Sequence, residues 1–161
     1  MKAFKYSALF LLLLTGCFII PSPSQAEAPL GPTKGQTVYV PAYSYIYSGI
    51  KEKPFSLTIT LSIRNIDPTH PIQITAIDYH ESQGTHLKKI LEMPVILNAL
   101  GAMRYVISEK DKSGGSGANF VVKWISDQPV NAPIIESIMI GTQSGQGISF
   151  TSRGKALTTQ P

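Results

Sequence analysis

The stretch D-K-S-G-G-S-G-A-N-F-V-V-K-W, Asp111–Trp124, predicts a glycine-rich loop that leads directly into a strand carrying the only tryptophan of the chain. Three of the seven residues from Ser113 to Asn119 are glycine, which is used where a backbone turns sharply or approaches another group closely. The loop is either a hairpin connection or a cradle of backbone N–H groups for a ligand. The loop matches no phosphate-binding pattern. It also does not match a nucleophile elbow, because Ala118 stands where the elbow requires glycine.

Outward from this loop, the hydrophobic pattern has a period of two. Apolar residues alternate with Ser, Thr and Arg from Phe55 to Arg64, which indicates a strand with one buried face and one solvent face. The predicted core includes Leu57, Ile59, Leu61, Ile63, Phe120, Val122 and Trp124. Further strands are predicted at Ile72–Tyr79, His86–Leu91, Pro94–Leu97, Met103–Ser108, Phe120–Ile125, Ile134–Thr142 and Ile148–Thr151, with an irregular link between Pro129 and Pro133.

The fold class follows from this spacing. Seven to nine short strands without an amphipathic helix favour an all-β protein, an antiparallel β-sandwich, with a small β-barrel as the alternative. The Cys-Trp-Cys pattern of antibody domains is absent from the sequence, because Cys17 is its only cysteine. The sandwich is therefore immunoglobulin-like at most.

The N-terminal segment is typical of export. A short basic region with Lys2 and Lys5 precedes the apolar run Ala8–Leu14, which is too short to span a bilayer as a helix. The run L-T-G-C that ends at Cys17 resembles the lipobox of bacterial lipoprotein precursors, which predicts a signal peptide over residues 1–16 and lipidation of Cys17. The alternative is ordinary cleavage after Ala26, which gives a soluble secreted or periplasmic protein.

The rest of the chain divides into three parts. Residues 17–36 are rich in Pro, Ser, Ala and Gly and are predicted to be a flexible tether. Residues 37–153 are predicted to form a single β domain, and residues 154–161 are predicted to be a frayed tail. Without Lys2 and Lys5 the chain has 12 basic and 10 acidic residues, a net charge of +2. This small charge does not support binding to nucleic acid, and no cofactor motif is present.

Four segments resemble an exported bacterial family known as domain of unknown function 3124. They are G-Q-T-V-Y-V-P, L-S-I-R-N-I-D-P-T-H-P-I, K-D-K-S-G-G-S-G-A-N-F and M-I-G-T-Q-S-G-Q-G-I-S-F-T-S, at Gly35–Pro41, Leu61–Ile72, Lys110–Phe120 and Met139–Ser152. The resemblance extends from Gly35 to about Arg153. It implies a bacterial envelope or secreted protein, and it carries over no catalytic residue and no ligand.

The candidate binding surface lies in two glycine-rich connections with little charge, Ser113–Asn119 and Gln143–Gly147. Loops on a rigid β-scaffold are where binding residues concentrate. The two loops form one site only if the strands that follow them begin at the same end of the sandwich. Their hydrogen-bonding residues are Ser113, Ser116, Asn119, Gln143, Ser144 and Gln146.

An aromatic face is a second candidate. Tyr43, Tyr45 and Tyr47 share one face if their segment is extended. Tyrosine is common at interfaces with proteins and stacks on sugar rings. The alternative is that these rings cap the core at an edge strand.

Metal binding and catalysis have weaker signals. His80 and His86 can meet across a hairpin, with Asp78 on the same face as His80. No catalytic motif joins any histidine to a serine, and no pair of carboxylates stands out among the 10 acidic residues. We therefore predict a non-enzymatic, lipid-tethered envelope module without a metal that binds a protein or glycan. The alternative is a metal-binding or enzymatic envelope protein that uses His80 and His86.

Overall fold

The computed structural model describes residues 31–160, and the predicted signal peptide and the predicted lipidation site Cys17 lie outside this range. Within this range a single 3-10 turn, Gly115–Gly117, interrupts an otherwise all-β structure. The twelve strands are β1 Thr33–Pro41, β2 Tyr45–Ser48, β3 Lys53–Ser56, β4 Thr58–Arg64, β5 Ile72–His80, β6 His86–Lys89, β7 Val95–Leu97, β8 Ala102–Ile107, β9 Asn119–Val130, β10 Ile134–Gln143, β11 Gln146–Arg153 and β12 Lys155–Gln160.

The strands form two main antiparallel sheets, which confirms the predicted β-sandwich. Sheet I has the order β12-β1-β9-β5-β6, with β7 also paired to β5, and sheet II has the order β11-β10-β4-β8. The hairpin of β2 and β3 makes a separate two-stranded sheet. Neither main sheet closes on itself, so the barrel alternative is wrong.

Each end of the sandwich can be defined by the register. At the upper end of sheet I, Asn119 at the start of β9 pairs with Pro41 of β1 on one side and with His80 of β5 on the other. At the upper end of sheet II, Ile140 of β10 pairs with Thr58 of β4. At the lower end, Thr33 pairs with Val130, and Arg64 pairs with Ala102 and Ile134. The chain enters β1 at the lower end.

The sequence predicted seven to nine strands, fewer than the twelve observed. Contacts between distant segments create some strands and divide others, and the local sequence pattern does not show this. The alternating run Phe55–Arg64 is divided at Leu57, whose amide N–H donates to the carbonyl of Ser44 (2.9 Å) and not to a neighbouring strand. β9 continues to Val130, because Val130 pairs with Thr33 after a shift in register, and residues 131–133 form the irregular link that was predicted between Pro129 and Pro133.

Both boundaries of the β domain also need correction. Thr33–Gln36, predicted as tether, belongs to β1 and pairs with β9 and β12. The predicted frayed tail contains β12, which pairs with β1 along Gly35–Tyr39. β11 and β12 run in the same direction and are joined at Gly154, whose N–H donates to the carbonyl of Ile135 (2.8 Å). A nearly continuous strand thus passes from sheet II to sheet I.

The core lies between the two sheets. All seven predicted core residues are buried with at most 1% of their surface exposed. Tyr79 joins them, and its ring packs against that of Phe120 with 4.9 Å between centroids. Alternation places Thr58, Thr60 and Thr151 on the opposite, outer side of sheet II. Burial of one face of each sheet therefore fixes the register of both.

Candidate functional site

The two glycine-rich connections lie at the same end of the sandwich. β9 begins at the upper end, where Asn119 pairs with Pro41. β11 also begins there, because Gln146 pairs with Gln143 beyond the Ile140–Thr58 pair. The β2–β3 hairpin stands between the two loops, since β2 contacts the 3-10 turn and β3 contacts β10. The strands that follow the two loops therefore begin at the same end of the sandwich, as a single site requires.

The loop from Asp111 to Asn119 is held by a tight set of contacts. A Cβ on Gly114 would overlap the Tyr79 hydroxyl and lie 2.7 Å from Tyr79 Cζ. Ser82 Oγ donates to the Gly114 carbonyl (3.1 Å) and accepts from the Gly117 N–H (2.9 Å). The Gly115 carbonyl accepts from the Ser44 N–H (2.9 Å). These contacts give Gly114 a packing role. The loop joins β8 of sheet II to β9 of sheet I, so it is a connection between the sheets and the predicted hairpin is wrong.

The polar residues of this loop differ in accessibility. Ser113 is exposed, and its N–H (3.1 Å) and hydroxyl (2.5 Å) both donate to Asp111 Oδ1. The Ser113 hydroxyl is the largest cause that lowers the pKa of Asp111, and Lys88 adds to it with Nζ 3.9 Å from the carboxylate. Ser116 is half-buried. Asn119 is only 8% exposed, because it begins β9 between Pro41 and His80, and is therefore not part of the surface.

The second connection is a short hairpin turn. Gln143 pairs with Gln146, so Ser144 and Gly145 form the two-residue loop. Both have positive φ, 52° and 78°, as a type I′ turn requires. All residues from Gln143 to Gly147 are exposed. The two glutamine side chains and Ser144 are therefore available to a ligand, while Gly145 is needed for the turn.

The three tyrosines do not form one row, which corrects the expectation of a shared face. The segment between β1 and β2 is not extended, and Tyr43 turns toward the sandwich, where its ring meets that of Phe150 at 5.6 Å. Tyr45 and Tyr47 do share a face of β2, with ring centroids 5.5 Å apart in an edge-to-face arrangement. Tyr47 is 56% exposed. Two of the three rings therefore remain available at the upper end.

A cleft at the same end was not anticipated. It has a volume of about 470 Å³ and is lined by Ser56, Thr58, Ser108, Glu109, Lys110 and Lys112. Within residues 31–160, neither lysine has a carboxylate oxygen within 4.0 Å. The K-D-K run of Lys110–Lys112 is the signal that could have pointed to it, but its meaning depends on β3 and β4 lying opposite. Hydroxyl groups and ammonium groups together suit a polar ligand with some negative charge.

His80 and His86 do meet across the β5–β6 hairpin. Their ring centroids are 5.3 Å apart, and His86 Nε2 lies 3.3 Å from Asp78 Oδ1. The Nδ1 atom of His80 is buried and has no hydrogen-bond partner among residues 31–160. In the described part of the chain, no three His, Cys, Asp or Glu side chains are grouped so that they could hold a metal ion. The predicted pair of histidines is therefore present with Asp78 beside His86, but within residues 31–160 these side chains do not form a group that could hold a metal ion.

Residues 31–160 contain no helix that is long and apolar enough to cross a membrane.

Comparisons with known proteins place the chain in a family. No curated protein sequence matches the chain. A structure described as "Crystal Structure of Thermotoga maritima 1070" is similar in outline, with 10% sequence identity, a TM-score of 0.45, and coverage of 78% of this chain and 96% of that chain. The model of the family described as "Protein of unknown function (DUF3124)" matches residues 35–157, and the chain belongs to this family.

Proposed function

We propose that this chain is a non-enzymatic binding module of a bacterial cell envelope, tethered to a membrane by a lipid on Cys17. Its binding surface is the upper end of the sandwich, and its partner is a protein or a glycan. The alternative, soluble secretion after cleavage at Ala26, changes the location of the module but not this surface. The tether rests on the L-T-G-C run at Leu14–Cys17.

One observation supports this binding surface. The two glycine-rich connections and the β2–β3 hairpin lie together at one end of the sandwich. Exposed loops on a rigid β-scaffold are a common position for binding residues. The accessible groups at this end are amides, hydroxyls and phenol rings, which suit a glycan or a polar protein surface. They belong to Ser116, Gln143, Ser144, Gln146, Tyr45 and Tyr47.

The charged side chains at this end indicate which charge the ligand carries. Asp111 is engaged by Ser113 and Lys88, whereas Lys110 and Lys112 face the cleft together with a single carboxylate, Glu109. The cleft therefore has a net charge of +1 from these three side chains. A partner with carboxylate or phosphate groups fits it better than a basic one.

The test is a comparison of two triple variants in intact cells. The first replaces Ser116, Gln143 and Gln146 with Ala, and leaves every glycine in place. The matched control replaces Thr60, Ser149 and Thr151 with Ala, which removes hydroxyls from the outer side of sheet II. After crosslinking and identification of what co-purifies, the first variant should lose the partner and the control should keep it. Full recovery of the partner by a folded first variant would show that the two glycine-rich loops are not the binding surface.

A further inference from the structure

The lower end of the sandwich displays two apolar side chains on a rigid base. Leu100 is 69% exposed and has a φ of 58°, and Ile66 is 40% exposed. A positive φ is unusual for a bulky residue and is maintained only where the surroundings impose it. The two residues belong to adjacent segments, since the Leu100 N–H donates to the Asp67 carbonyl (3.1 Å) and the Asn65 N–H to the Gly101 carbonyl (2.9 Å). We call Ile66 and Leu100 the apolar tip.

Buried polar residues on both sides of Ile66 hold this tip in place. The Asn65 side-chain amide donates to the carbonyls of His70 (2.9 Å), Leu97 (3.3 Å) and Asn98 (3.0 Å), and its Oδ1 accepts from the Asp67 N–H (3.0 Å). Both Asn65 and Asp67 are buried. Because its two neighbours are anchored in this way, Ile66 cannot turn inward without breaking several buried hydrogen bonds, each costly to leave unmade.

The carboxylate of Asp67 is fully occupied by the same network. Its Oδ1 accepts from the N–H groups of Thr69 (3.0 Å) and His70 (2.9 Å), and its Oδ2 accepts from the Asn131 N–H (3.2 Å). The carboxylate next to Ile66 in sequence is therefore buried and hydrogen-bonded. By contrast Arg64, the residue before Asn65, is exposed, with its Nε donating to the Ser62 hydroxyl (3.3 Å), and Lys34 beside Thr33 is exposed too. In the described residues neither cation has a carboxylate oxygen within 4.0 Å.

The tip lies at the end where the chain enters the sandwich. Thr33 at the start of β1 pairs with Val130, and the next residue, Asn131, donates to Asp67. The chain therefore enters the domain at Thr33 on the same side as Ile66 and Leu100. The upper end, with its loops and cleft, points in the opposite direction.

We propose that the apolar tip rests in the interfacial layer of the membrane that holds the lipid anchor, with Arg64 and Lys34 against anionic headgroups. This contact rests on the tether of the proposed function. Exposed apolar side chains beside cations match the chemistry of a bilayer surface, where apolar groups insert and basic groups meet anionic lipids. The contact directs the upper end away from the membrane and toward its partner.

The test uses the full chain, produced with its own leader in a bacterial host, purified from membranes and reconstituted into vesicles of phosphatidylethanolamine and phosphatidylglycerol. Leu100→Cys and Ser144→Cys are each labelled with a thiol-reactive fluorophore. They are matched, because both positions are exposed turn residues with positive φ, at opposite ends. Ile66→Cys provides a second position at the tip, and Trp124 emission reports whether each variant is folded.

Nitroxide-labelled lipids then measure proximity to the bilayer. An interfacial side chain lies roughly 5–10 Å into the headgroup boundary, so we expect quenching about threefold stronger at Leu100→Cys than at Ser144→Cys. Quenching at Leu100→Cys should weaken when phosphatidylcholine replaces phosphatidylglycerol. Equal quenching at both ends, with the chain retained on the vesicles, overturns the contact and leaves the tether standing. If the wild-type chain takes up the thiol dye or separates from the vesicles, the tether fails, and the contact fails with it.

Discussion

Replacement of Gly114 by alanine tests the packing of the glycine-rich loop. The added Cβ would overlap the hydroxyl of Tyr79, lie 2.7 Å from its Cζ and lie 2.7 Å from Ala118 Cβ. Tyr79 is fully buried, and its hydroxyl forms a 3.1 Å hydrogen bond with Ser44. Overpacking of a core costs about 1–3 kcal/mol, and loss of the hydrogen bond adds about 1 kcal/mol. We expect Gly114→Ala to lower the free energy of unfolding by about 2–4 kcal/mol.

The matched control is Gly147→Ala, because Gly147 has no positive φ and its added Cβ meets nothing closer than Thr142 Cγ2 at 4.0 Å. Urea unfolding followed by the emission of Trp124, the only tryptophan, measures both variants. Tyr79→Phe removes the overlapping oxygen, so the double variant Gly114→Ala/Tyr79→Phe should lose less stability than the sum of the single changes. A Gly114→Ala protein as stable as Gly147→Ala would refute the packing role.

Three further predictions concern the core, the acid response and the tether. Leu61→Ala removes a side chain with no exposed surface and should cost about 2–5 kcal/mol in urea unfolding, whereas Thr60→Ala on the outer side should cost little. The N–H groups of Thr69 and His70 hold the pKa of Asp67 well below its usual range. This carboxylate therefore stabilises the fold above about pH 4, and the stabilisation is lost as the pH falls. Asp67→Asn should accordingly flatten the dependence of Tm on pH between about 4 and 2, and an unchanged slope contradicts the prediction. Cys17→Ser should release the chain from the membrane fraction, and a mature chain that begins at Glu27 by mass spectrometry excludes the lipid.

The sequence predicts those parts of the fold that depend on local alternation. The period of two from Phe55 to Arg64 requires one buried face, and its apolar residues are buried as expected. β12 could not be predicted in the same way, because Lys155–Gln160 has few large apolar residues and becomes a strand only by pairing with β1, far away in sequence. The break at Leu57 has a similar cause, since the Ser44 carbonyl that ends the pairing lies in another segment.

The candidate site also has features that the local sequence predicts and features that depend on tertiary structure. Glycine content identified both loops, and the topology brings them to one end, a fact that depends on the order of strands in two sheets. Asn119 was included because of its residue type, but its place at the first pairing position of β9 buries it. Asn65 and Asp67 are held by hydrogen bonds with Leu97, Asn98 and Asn131, which are far away in sequence. Exposure of Ile66 and Leu100 follows from those bonds and was therefore not predicted.

The most direct test of the upper end as the binding surface is site-directed photocrosslinking in intact cells. A benzophenone amino acid is placed at Gln146 in one protein and at Thr151 in another. Both residues are exposed on β11, but Gln146 lies at the upper end and Thr151 on the outer side of sheet II. We predict a defined crosslinked product from Gln146 and none from Thr151. The same product from both positions, or a product from Thr151 alone, contradicts the proposed surface.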